Sequence, residues 1–151
     1  IGLKGLPWIY SQETAMMSVI LVALWKEIGY YMVMFLAGLQ SIPATYYEAA
    51  EIDGSSPLRT FFKITVPLIS PTTFFVFIIS VIGSFQIFDL TSVLTAGGPA
   101  NSTYTTIMYV YKAGFNFFRM GYASAISTIL FLIILVLTTI QNKLSSAWVY
   151  Y

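Results

Sequence analysis

An all-α protein that crosses a membrane several times is predicted by three observations. The chain is 58% hydrophobic and only 9% charged, against about 25% charged residues in ordinary soluble domains. Its apolar residues gather into runs long enough for helical spans, which need about 20 residues at 1.5 Å each. Between the first two runs lies a polar stretch, residues 46–67, YYEAAEIDGSSPLRTFFKITVP. It holds Glu48, Glu51, Asp53, Arg59 and Lys63, out of 7 basic and 6 acidic residues in the whole chain.

The first residue is Ile and no signal-peptide pattern follows, so the chain is expected to be a piece of a longer polypeptide. Ile1 to Glu13 reads as the end of a polar loop, with Trp8 and Tyr10 as amphipathic rings suited to a membrane surface. Ala15 to Leu39 is the first expected span, interrupted near its middle by Lys26 and Glu27. A charge at a helix centre costs about 2.5–3.5 kcal/mol on insertion scales, so both side chains must face protein or water. Adjacent helical residues point about 100° apart, so the two need not pair with each other. Two readings stand at this point: a polar lining of a path, or ion pairing to a neighbouring span.

The polar stretch reads as helix, turn, helix. Pro43 suits a first helical turn, where its missing N–H costs nothing. Ala44 to Ile52 is expected as helix, with Ala49 and Ala50 leaving a thin wall for close approach. Asp53-Gly54 is a turn signal, because Gly accepts a left-handed backbone without strain. Ser56-Pro57 is expected to restart the chain as N-cap and first helical residue. Leu58, Phe61 and Phe62 then fall at i, i+3, i+4 as an apolar stripe, and Pro67 and Pro71 are expected to end that helix.

Thr72 to Leu94 is the second expected span, with Gly83 and Ser84 allowing close helix approach. Gln86 and Asp89 are expected on one face, being i and i+3, beside Phe85 and Phe88. A polar pair flanked by aromatic rings suits a sugar; alternatively Asp89 marks the end of the span in the headgroup region. Thr95 to Met120 is expected as a loop outside the membrane. Gly97-Gly98-Pro99 breaks helix, and an aromatic helix over Ser102 to Phe118 suits the interface plane. Gly121 to Gln141 is the third span, with Ala123, Ser124, Ala125, Ser127 and Thr128 favouring close packing. Lys143 marks its exit, and Ser145 to Tyr151 is a short tail.

Composition excludes much. The chain has no Cys and no His, so disulfides, thiol chemistry, His metal sites and a His-containing catalytic triad are ruled out. A net charge of +1 gives no case for nucleic acid. No Gly-x-x-x-x-Gly-Lys-Ser/Thr loop occurs, so ATP is not bound by that motif here. No catalytic set and no metal site are expected, and the chain is not expected to be an enzyme. Charge does not orient it: Arg59, Lys63 and Lys143 on one side balance Lys4, Lys112 and Arg119 on the other.

The spaced residues Glu48-Ala49-Ala50, Gly54 and Ile64-Thr65-Val66-Pro67 resemble the coupling loop of bacterial ABC-importer permeases, with Val66 where the family pattern has Leu. YYEAAEIDGSS and LTAGGPANST (Leu94 to Thr103) resemble the carbohydrate branch, the maltose and glycerol-3-phosphate type. The resemblance runs from Trp25 onward. It implies a single permease domain over residues 1–151, the last three helices of six, with spans near 15–39, 72–94 and 121–141. It also implies a cytoplasmic coupling loop over 43–67 and an external loop over 95–120. The implied partners are a second permease subunit, a dimer of ATPase subunits that bind the ATP, an extracytoplasmic solute-binding protein and membrane lipid, in a bacterial inner membrane. ATP closure of the ATPase dimer would draw the coupling loops together and rock the spans. Glu48, Ala49, Ala50, Asp53 and Gly54 are the implied docking residues, braced by Leu58, Phe61 and Phe62. Lys26, Glu27, Gln86 and Asp89 are the candidate path residues for a sugar or polyol phosphate. The alternative is a fragment of an ion-coupled transporter or channel using Lys26, Glu27 and Asp89 as its charged site.

Overall fold

The computed structural model describes Gly5 and residues 7–146, 148 and 149. Lys4, placed above among the outer positive charges, and part of the tail lie outside the described residues. Every regular element among the described residues is helical. The order is α1 (Gln12–Gln40), α2 (Thr45–Ile52), α3 (Pro57–Thr60), a π-helical turn (Phe61–Thr65), α4 (Val66–Leu68) and α5 (Ser70–Phe85). After these come α6 (Asp89–Leu94), α7 (Thr106–Tyr111), a second π-helical turn (Lys112–Asn116) and α8 (Met120–Ser145). Three stretches are long and apolar enough to cross a membrane: Gln12–Gln40, Ser70–Leu94 and Met120–Ser145.

The chain divides into two compact units. One comprises Ile1–Glu27 and Ile82–Leu135, the other Ile28–Val81 and Val136–Tyr151. In the first, the lead-in folds back on the start of α1. Thr14 Oγ1 donates toward the Trp8 carbonyl at 2.9 Å, and Ser18 Oγ lies 2.9 Å from the same carbonyl. The loop after α6 is a compact knot. Thr95 donates to the Thr91 carbonyl at 2.9 Å, and its hydroxyl lies 2.6 Å from that of Thr103. Thr103 Oγ1 also reaches the Gly98 carbonyl at 3.0 Å, and Thr91 and Thr103 are fully buried. Ala96, Gly97, Ala100 and Asn101 all have left-handed backbones, around a cis Gly98–Pro99 bond. The aromatic helix expected over Ser102 to Phe118 is shorter. It covers α7 and widens into the second π turn, where a Cβ added at Gly114 would lie 3.5 Å from Ala123 Cβ. Lys112 sits over the Tyr104 ring and Arg119 over Tyr122. Hydrogen bonding with Tyr122, then the charge of that neighbour, holds the Tyr109 phenol above its ordinary value.

In the second unit α1 and α5 meet at Gly38. A Cβ added there would come within 2.9 Å of Thr72 Cγ2, so only a missing side chain permits this approach. Gly83, expected to serve close packing, faces open space within the described residues. Whether a glycine meets a neighbour depends on helix rotation, which composition does not reveal. The tail is also engaged, with the Trp148 ring edge-on to the buried Phe74 at 6.0 Å.

Pro67 and Pro71 do not end the helical path as expected. Pro67 lies in the short α4, continuous with the turn before it, and Pro71 in the first turn of α5, where its missing N–H falls at a helix start. The π turn just before Pro67 explains the continuity. The Val66 N–H donates to the Phe61 carbonyl, one residue further back than in an α-helix. The extra residue widens the turn where the proline ring would otherwise meet the carbonyl four residues earlier.

Candidate coupling loop and charged span positions

The turn at Gly54 is built from backbone alone. Gly54 has φ +67°. Its N–H donates to the Glu51 carbonyl at 3.0 Å, and the Ser55 N–H donates to the Ala50 carbonyl at 2.9 Å. These two bonds with a left-handed glycine form a Schellman motif, which satisfies the last carbonyls of α2 and fixes the exit direction. Pro43 precedes α2 rather than entering its first turn, receiving a bond from the Tyr46 N–H at 3.2 Å. Ser56 stands before Pro57 with an extended backbone, as expected for an N-cap, but its hydroxyl does not cap the helix. The Thr60 hydroxyl instead bonds to Ser55 Oγ at 3.2 Å. Tyr47 and Thr65 join the two arms through their hydroxyls at 3.2 Å.

This geometry separates residues that the sequence reading had grouped. Ala50 is 7% exposed and lines a hollow of the loop with Tyr46, Ala49, Asp53, Ser55, Arg59 and Ile64. Ala49 and Asp53 stand at its exposed rim, and Glu48 and Gly54 lie outside it, exposed. Of the residues expected to brace the loop, Phe61 lines a second hollow with Tyr47 and Thr65, whereas Leu58 and Phe62 line neither. All three are exposed, Leu58 at 73%, and the two Phe rings stack edge to face at 5.1 Å. The bracing comes from the Tyr47–Thr65 and Ser55–Thr60 contacts. Ile52, passed over above, is 88% exposed at the tip. A helical wheel held the signal: with Tyr47 and Ala50 inward at i and i+3, Glu48 and Ile52 fall together on another face.

Of the four span positions, two come together and one assumed relation fails. Lys26 Nζ bonds Asp89 Oδ2 at 2.6 Å, with side chains 57% and 64% exposed. Gln86 and Asp89 do not share a helical face, because α5 stops at Phe85 and α6 starts at Asp89. In the gap the Gln86 N–H reaches the Gly83 carbonyl at 3.0 Å, and the Ile87 carbonyl accepts the Thr105 hydroxyl at 2.9 Å. The loop thus supplies a partner for a carbonyl released by the break. Glu27 is partly exposed, with no ion-pair partner among the described residues. No cluster of metal-binding side chains occurs among the described residues.

Residues 6–149 match the family described as the binding-protein-dependent transport system inner membrane component. Similar relatives include the sn-glycerol-3-phosphate transport system permease protein UgpA of Pectobacterium atrosepticum. It is 40% identical over 146 residues, covering 95% of this chain and 50% of that protein. The arabinooligosaccharides transport system permease protein AraP of Bacillus subtilis is 38% identical over 149 residues, covering 98% and 48%. Among solved structures, a bacterial alginate ABC transporter in complex with an alginate pentasaccharide-bound periplasmic protein matches with TM-score 0.82 and 25% identity. That match covers 95% of this chain and 50% of the other. The chain spans about half the length of these relatives. With three helices of spanning length and a family match over nearly all of its length, the chain belongs to the inner-membrane components of binding-protein-dependent transport systems.

Proposed function

We propose that this chain forms part of the solute path of an ATP-driven importer and couples to an ATPase subunit through Glu48–Gly54. The observation that carries the reading is the outward display of Ile52, Leu58 and Phe62 on a turn locked by its own backbone. Large exposed apolar groups on a pre-fixed element suit a partner's cleft, because little ordering entropy remains to be lost on docking. Glu48 and Asp53 flank that apolar tip and supply register more than affinity. ATP is bound by the partner, whose closure draws this loop and that of a second permease subunit together. A binding protein delivers the solute outside. The solute class is a carbohydrate or polyol derivative, in line with the names of the relatives. Gln86, in the break of the second span, and Lys26, Glu27 and Asp89 line the path, since interrupted helices gather polar groups where a solute passes.

The test compares two neighbouring alanines in the full-length permease. Ala49→Trp adds bulk at the exposed rim of the loop's hollow and is expected to release the ATPase subunit in a pull-down, with permease stability changed by no more than about 0.5 kcal/mol. Ala50→Trp adds bulk inside and is expected to cost about 1–3 kcal/mol of stability. Normal ATPase retention and solute-stimulated hydrolysis by Ala49→Trp overturns the coupling role.

A further inference from the structure

We propose that Asp89 cancels the charge of Lys26, so that this part of the path offers no free cation and admits an uncharged polyhydroxylated solute in preference to an anionic one. The inference rests on the path reading above. The charged residues within the three long helical stretches are Glu13, Lys26, Glu27, Asp89 and Lys143. Glu13 lies in the first turn of α1 and Lys143 in the last turn of α8. Lys26 is therefore the one cation away from a helix end among the described residues of these stretches. Its ammonium is committed to Asp89 at 2.6 Å. The next residue, Glu27, has no ion-pair partner among the described residues. Two acids accompany one base, and a phosphate or sulfonate group meets a negative excess with no ammonium to receive it. A neutral sugar meets carboxylate acceptors for its hydroxyls without that repulsion.

Asp89 is positioned for this by the break in the second span. It is the first residue of α6, just after the gap whose Ile87 carbonyl is tied by Thr105. On an unbroken α5 the carboxylate would follow the helical register of Gln86. The break gives it a direction of its own, toward Lys26. Asp89 is thus a positioning residue acting through Lys26.

The experiment measures binding of radiolabelled maltotriose and radiolabelled sn-glycerol 3-phosphate to the complete transporter in nanodiscs. Wild type is expected to prefer maltotriose. Asp89→Asn, which keeps shape and frees Lys26, is expected to move the affinity ratio toward the phosphate ester by at least about tenfold. Lys26→Met with Asp89→Asn is expected to abolish that gain. Lys26→Asp with Asp89→Lys rebuilds the pair and is expected to return the ratio toward wild type, which separates charge from misfolding. A wild-type preference for the phosphate ester, or a ratio unmoved by Asp89→Asn while both affinities change, overturns charge cancellation and leaves the path reading standing. If Gln86→Leu and every charge variant leave both affinities unchanged, these residues lie off the path and both readings fall.

Discussion

Two loops of this chain solve the same backbone problem in opposite ways. Residues 43–67 and residues 94–105 each join helices through left-handed positions, Gly54 in one and Gly97 with three non-glycine neighbours in the other. The first satisfies its helix end with two backbone bonds and turns its large side chains outward. The second buries Thr103, whose hydroxyl donates to the Gly98 carbonyl, while the Thr95 hydroxyl donates to the carbonyl of the buried Thr91. A Cβ at Gly54 would meet nothing within 4 Å, whereas one at Gly97 would come within 2.6 Å of Tyr104 Cδ2. A loop that carries a surface can leave its turn open. A loop that is its own core cannot.

The comparison is broken most severely at Gly97. Gly97→Val combines left-handed strain of about 1–2 kcal/mol with overpacking of about 1–3 kcal/mol, and thermal unfolding of the full-length permease should show the sum. A loss under about 1 kcal/mol would mean that the knot yields freely. Gly54→Val carries the strain term alone. It is expected to cost about 1–2 kcal/mol locally, with a larger loss of ATPase association than of melting temperature, read by pull-down beside calorimetry. Equal behaviour of the two valine variants would erase the distinction between the loops. The smallest effect on stability is expected from Ile52→Ser, within about 0.5 kcal/mol, while ATPase retention falls. Unchanged retention would remove Ile52 from the docking surface.

What the sequence made legible was local. The three apolar runs and the Asp53-Gly54 turn depend on residues within a few positions of each other, and both were readable. The split between Ala49 and Ala50 depends on which way α2 faces, set by Tyr47 reaching Thr65 across 18 positions. The Lys26–Asp89 pair spans 63 positions. It was hidden because treating residues 72–94 as one helix gave Asp89 the register of Gln86. The prolines misled for a related reason: a proline ends a helix only if the turn before it stays α, and Phe61–Thr65 widens instead. The choice of Gly38 over Gly83 as the close contact likewise needed the partner helix in view.

That widened turn makes the second arm of the loop a ratchet with one spare tooth. An α-helix advances 1.5 Å and turns about 100° per residue. Drawing the extra residue of Phe61–Thr65 into ordinary α pitch would therefore screw the residues after it, from Val66 onward, by about one such step. Pro67 stands directly behind the spare tooth as its pawl, since its ring resists the tighter turn. Rotation about the helix axis from Val66 onward is thus opposed at Pro67.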